Sequence, residues 1–165
     1  MRLKAIALAL IVSLGLLTPT ASLEARAASS ISKTVTIVVD FGKKSGRATR
    51  VISLSDVSTT ASGWALLTQT KLKIEGTHQY PTGFVCRIAG WPTSKQQDCA
   101  DTPNYKEGHW AYYVTSFTLG GGWLLSGQGA ASHVPDCAGY EGWSWIAGGE
   151  ANKPPRFKVE NRACK

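Results

Sequence analysis

From Gly83 to Val114 the chain reads GFVCRIAGWPTSKQQDCADTPNYKEGHWAYYV: an apolar run, a polar loop closed by two cysteines, and an aromatic run that alternates. Phe84 to Ala89 reads as a strand. Trp110 to Phe117 reads as a second, with Trp110, Tyr112 and Val114 on one side and Ala111, Tyr113 and Thr115 on the other. The connection, Gly90 to Gly108, spans 19 residues. A loop of that length is uncommon inside a compact domain unless it has a purpose.

The rest of the chain repeats this grammar of short strands and glycine turns. Lys33 to Phe41 (KTVTIVVDF) alternates and is β-branched, which turns Val35, Ile37 and Val39 inward. Gly42 to Gly46 is a basic turn and Thr49 to Leu54 the returning strand of a hairpin. Ser55 to Thr70 is ambiguous: Ser55 or Asp56 suits a helix cap, and Val57, Trp64 and Leu67 suit a helical stripe, but Gly63 and the Ser/Thr density weaken it. Lys71 to Glu75, Trp123 to Ser126 and Trp143 to Ile146 read as further short strands, and Phe157 to Glu160 as a last edge strand behind Pro154-Pro155. The sum is a single all-β domain, a two-sheet sandwich with long loops.

Arg2 and Lys4, the 13-residue apolar run Ala5 to Leu17 and the small-x-small triplet Ala25-Arg26-Ala27 have the form of a signal peptide over residues 1–27. The run is too short to span a bilayer, which takes about 20 residues. The mature domain, 28–165, is expected to be secreted, extracellular and monomeric, with no membrane insertion. In that setting four cysteines read as two disulfides. Three pairings exist. Cys86 with Cys99 and Cys137 with Cys164 is favoured because each closes a compact loop. Zinc is disfavoured, since no C-x-x-C pair occurs.

Without its leader the chain carries 15 basic and 10 acidic side chains, a net charge of +5. The excess falls in Ser30 to Glu75 and in the tail. A positive field attracts anions or acidic surfaces, and it also keeps a secreted protein soluble. No basic motif points to nucleic acid. Salt-sensitive adhesion to host surfaces or glycosaminoglycans is one consequence to weigh.

No nucleophile motif, paired carboxylates or dinucleotide fingerprint is present; Gly127-Gln128-Gly129 lacks the remainder of one. Enzymatic activity is therefore open, and any oxidoreductase chemistry has no recognisable catalytic motif behind it. His78, His109 and His133 lie in or beside loops and are candidate ligands for haem iron. The redox composition says more. Methionine occurs only at position 1, and paired cysteines leave no thiol, so the side chains that oxidise most readily are absent or blocked. Six tryptophans and five tyrosines remain. Tyr80, Tyr105 and Tyr140, each in an expected loop, suit stoichiometric radical quenching. Trp64, Trp110, Tyr112, Trp143 and Trp145 read as core.

The motifs VTIVVDFGKKSG, GFVCRIAGWP, HWAYYV, GGGWLLSGQGAA and YEGWSW behind a leader resemble the RoxP-type secreted antioxidant proteins of skin-dwelling propionibacteria, over the whole mature chain. The resemblance implies an immunoglobulin-like domain, a loop that helps form a positively charged groove, and protection against free radicals or small-molecule oxidants, with haem or another anionic compound as candidate ligand. Antioxidant work would fall to Tyr80 and Tyr105, then to Tyr112 and Tyr113. The groove and any cofactor site would draw on His78, His109, Lys43, Lys44, Arg47, Lys71, Lys73, Lys95 and Lys106. The order of VTIVVDFG, VCRIAGWP, WAYYV and EGWSW is also similar to transcobalamin-like secreted actinobacterial domains. That family implies a β-grasp-like α+β fold and capture of a corrinoid or haem.

Overall fold

The computed structural model describes residues 32–116 and 121–163. The expected signal peptide, Phe117 and Cys164 lie outside them. Among the described residues the molecule is mostly β: β1 (Ser32–Asp40), β2 (Arg50–Ser58), β3 (Ile74–Gly76), β4 (Val85–Ile88), β5 (His109–Thr115), β6 (Trp123–Leu125) and β7 (Tyr140–Ile146), with one short α-helix, α1 (Gly63–Gln69), between β2 and β3 and a 3-10 turn at Lys43–Ser45. They form two sheets, a five-stranded one in the order β2-β1-β7-β5-β6 and the hairpin pair β3-β4.

The two-sheet, mostly-β expectation holds. Within the larger sheet the connectivity is that of the β-grasp-like alternative. A first hairpin is followed by a helix, and the late strand β7 slots in beside β1, parallel to it and antiparallel to β5. A strand paired on both sides suits sequence that is buried on both faces. In β1, Val35, Ile37 and Val39 are buried on one face and Thr36, Val38 and Asp40 on the other.

The inner face packs Val35, Ile37, Val39, Trp110 and Trp143 against Leu66 and Leu67 of α1 and Val85 and Ile88 of β4. The helix begins later than Ser55 or Asp56, because β2 continues through Ser58. Its cap is Ser62, whose Oγ accepts from the Ala65 amide at 3.3 Å.

The outer face is covered by residues 153–162. The expected edge strand at Phe157 to Glu160 does not form, since Pro154 and Pro155 deny a ladder its donors. The segment lies across the sheet as a strap instead. Phe157 packs on Tyr140 with ring centroids 5.9 Å apart, and its carbonyl accepts from Trp123 Nε1 at 2.8 Å. Asp40, buried, accepts from the Arg156 amide at 2.7 Å and from its guanidinium at 2.6 and 2.9 Å.

Cys86 and Cys99 are bonded, with Cα atoms 5.6 Å apart. Cys137 is also disulfide-bonded, and no cysteine among the described residues is free; its expected partner, Cys164, is outside the described residues. Buried Arg87 reinforces the first bridge. It donates to the carbonyls of Pro92, at 3.0 Å, and Gln97, and it pairs with Glu75 at 2.5 Å. Replacing Cys86 and Cys99 with serine is expected to lower unfolding free energy by about 3 kcal/mol, read from urea melts, for a loop of roughly this size.

Candidate functional site

Inward-facing residues of an antiparallel pair meet as cross-strand neighbours. The β5–β7 register sets Trp110 opposite Trp145 and Tyr112 opposite Trp143. Four aromatic rings therefore share one face. The Tyr112 and Trp143 rings lie 4.9 Å apart and the Trp110 and Trp145 rings 5.5 Å apart.

Two residues before Trp143, on the same face, comes Glu141. It is fully buried. A carboxylate at that depth is costly unless it is paired and hydrogen-bonded. Its Oε2 accepts from the Tyr112 hydroxyl, and its Oε1 lies 3.3 Å from His133 Nε2, within ion-pair reach but without hydrogen-bond geometry. The Lys33 amino group completes the island, donating to the carbonyls of Pro135 at 2.5 Å and Thr59 at 3.0 Å.

The backbone fixes this cluster. The amide of Gly63 donates to the His133 carbonyl at 2.9 Å and that of Trp64 to the Ala130 carbonyl at 2.8 Å, tying the histidine loop to the start of α1. Gly63 also has to be glycine on grounds of space, because a Cβ there would collide with both the Tyr112 hydroxyl and Glu141 Oε2.

Burial pushes the Tyr112 phenol far above its ordinary range, and the Glu141 charge adds to this, so it stays protonated. Burial also pushes Glu141 up, opposed by His133, Tyr112 and Lys33, while pairing with Glu141 pushes His133 up. Burial lowers Lys33, against the pull of Glu141 and Asp136. Glu141 and His133 thus act as one acid–base unit. One carboxylate oxygen faces a phenol and the other an imidazole that is a quarter exposed. Tyr112 and Trp143 also border a cleft of about 350 Å³ between Gly83–Val85 and the Ser126–Ala130 loop.

A second cleft, of about 500 Å³, opens at the other end of β7. Trp145, Ile146, Ala147 and Pro154 form its apolar floor, and Lys43, Lys44, Lys153 and Arg156 its cationic rim. Glu150 pairs with Lys44 at 2.7 Å and Lys153 at 3.3 Å, whereas Lys43 has no partner among the described residues.

The remaining residues singled out from sequence are dispersed. Tyr80 and Tyr105 are 50% and 60% exposed, as a direct encounter with a radical requires. The Tyr80 hydroxyl bonds nothing among the described residues, while that of Tyr105 donates to the Gly149 carbonyl. Tyr113 is buried on the outer face, and Tyr140, expected in a loop, begins β7 and is buried too. Arg47 stacks on Phe41 and Trp91 and donates to the Ala89 carbonyl at 2.8 Å. Lys73 borders a separate depression beside Glu75 and Arg87, and Lys95 one beside Asp98, Asp101 and Glu107. Lys71, Lys106 and His78 are exposed. His109 bonds Asn152 at 2.9 Å through Nε2.

This donor set does not fit an iron-ligated haem. The cleft that gathers cations has no histidine, tyrosine or thiolate on its lining. The cleft bordered by His109 has no cationic rim. No group of three or more His, Cys, Asp or Glu side chains among the described residues is arranged to hold a metal.

Neither Glu141 nor His133 stood out as a partner of Tyr112 in the sequence, because the three are joined only by strand register and a loop. One signal was there: a carboxylate inside the aromatic run YEGWSW is a buried charge in need of a partner. No protein-family model matches the chain, and no curated protein matches it significantly.

Proposed function

We propose that this protein is a secreted antioxidant that quenches free radicals by one-electron reduction at Tyr112. What supports the reading is one observation: a protonated phenol beside a cleft, hydrogen-bonded to a buried carboxylate that is backed by a histidine. A phenol gives up an electron far more easily when its proton has somewhere to go.

An oxyl radical takes one electron from Tyr112, and the tyrosine O–H bond breaks. The proton passes to Oε2 of Glu141, while the oxyl radical becomes an oxyanion that water protonates. With the carboxylate neutralised, the imidazolium of His133 loses its counter-charge and releases its own proton to solvent. The product is a tyrosyl radical, so each molecule removes one oxidising equivalent. Exposed Tyr80 and Tyr105 add capacity but have no comparable base.

Tyr112→Phe is expected to remove most of the fast clearance of a stable nitrogen-centred radical, while Tyr80→Phe with Tyr105→Phe lowers only the slow remainder. Unchanged clearance in Tyr112→Phe would sink the reading.

The second cleft favours one further reading, capture of an anionic ligand with an apolar body over Trp145, against unpaired Lys43. Titration with haem and with a corrinoid, following the absorption band of each, tests it; no spectral change at micromolar ligand rejects it.

A further inference from the structure

Resting on that reading of Tyr112, we infer that Trp91, Trp145, Trp110 and Trp143 form a relay that carries an oxidising hole from the cationic cleft to Tyr112. Electron transfer slows exponentially with the gap between rings, so short hops outrun one long jump. The Trp91 and Trp145 centroids are 6.2 Å apart, Trp145 and Trp110 5.5 Å, and Trp143 and Tyr112 4.9 Å. Trp110 and Tyr112, like Trp143 and Trp145, are two positions apart on one face of a strand, a backbone rise of about 7 Å.

Two polar atoms on this path are otherwise unexplained. The indole N–H groups of Trp91 and Trp110 are buried with no hydrogen-bond acceptor among the described residues. An orphaned buried donor is rare and calls for a reason. Here the lack of a protein acceptor disfavours loss of the proton from an oxidised indole. Its charge then stays a mobile radical cation and is not trapped as a neutral radical part-way.

Charge sets the direction. The Arg47 guanidinium stands 5.7 Å from the Trp91 ring, and Lys43, Lys44, Lys153 and Arg156 line the same cleft as Trp145, outnumbering Asp40 and Glu150 there. These cations draw an anionic oxidant in and push positive charge inward. At the far end Glu141 attracts it, and there a base stands ready to accept the proton. The oxidant gains one electron at Trp145 or Trp91, each indole is restored by the next ring, and the phenol of Tyr112 is left oxidised with its proton on Glu141.

Pulse radiolysis with azidyl radical, which oxidises indole faster than phenol, tests this in full-chain protein carrying Tyr80→Phe and Tyr105→Phe. The indole radical signal is expected to decay at a rate independent of protein concentration, with the phenoxyl signal rising at that rate. Tyr112→Phe should reduce the phenoxyl signal to background, and Trp145→Phe should lower its yield several-fold. Trp91→Phe, at the surface end, serves if Trp145→Phe disturbs folding. A phenoxyl yield that neither tryptophan substitution alters, or that survives Tyr112→Phe, overturns the relay. Clearance of the stable radical reads Tyr112 separately, so a failed relay and a failed electron source give different results.

Discussion

Gly63→Ala is expected to destabilise the protein by about 2–3 kcal/mol, the cost of overpacking a filled site, and to remove most fast radical clearance with it. The sign is the informative part. In an exposed helix the same change would stabilise by roughly 0.5–1 kcal/mol, since glycine is the costlier helix residue. Here the new methyl meets the hydroxyl end of a ring packed on Trp143 and the carboxylate of a fully buried Glu141. Neither has room to retreat. Adding Tyr112→Phe removes the hydroxyl that the methyl strikes. The double variant should recover part of the lost stability in urea melts, as coupled neighbours do, and none of the clearance. If Gly63→Ala matches the parent in both measurements, the tight junction of helix and phenol is wrong.

Asp40→Ala should cost about 3–5 kcal/mol, because it strips the counter-charge and the acceptors from the strap at once. Asp40 is buried and receives the Arg156 guanidinium, the Arg156 amide and the Gly42 amide at 2.9 Å. The guanidinium is 41% exposed and regains water when released, which favours the lower end of that range. Loss of the clamp should free residues 153–162 to protease and shift Trp123 emission to the red, since its indole N–H bonds Phe157. The same contact sets a pH dependence. Burial pushes the Asp40 carboxyl up, but the Arg156 and Gly42 bonds outweigh it and hold the pKa below the ordinary range. A carboxyl lowered in the folded state gives its full stabilisation above its unfolded value of about 3.9 and loses it as pH falls through the folded value. Melts of the parent from neutral pH down to about pH 2 should show that acid-dependent loss, and melts of Asp40→Asn should lack that component.

The strands were legible because their signals are local. Alternation in KTVTIVVDF and HWAYYV marked β1 and β5 to within a residue or two, and compact loop closure identified the Cys86–Cys99 bridge. What the sequence did not reveal depends on neighbours distant along the chain. Nothing in YEGWSW says that it lies parallel to β1, yet that pairing decides the topology. The strap could not be told from a strand, because Phe157 and Val159 alternate just as an edge strand would. The site was half legible. Alternation put Tyr112 in the core and only the resemblance singled it out for redox work, while its contact with Glu141 and His133 needed the β5–β7 register and a loop anchored on α1. The basic residues showed the opposite failure. Lys43 and Lys44 meet at one cleft, whereas Lys73 and Lys95 sit among carboxylates elsewhere, since charge counts carry no direction.

The centre of the sheet is filled by its latest strand. Until Tyr140–Ile146 arrive, β1–β2 and β5–β6 are two unconnected hairpins, and an isolated hairpin is marginal in water. The sheet is thus closed by a keystone strand. The closing piece joins the two halves, and a copy ending short of residue 140 would lack Trp143 from the core and leave one edge of β1 without its ladder partner.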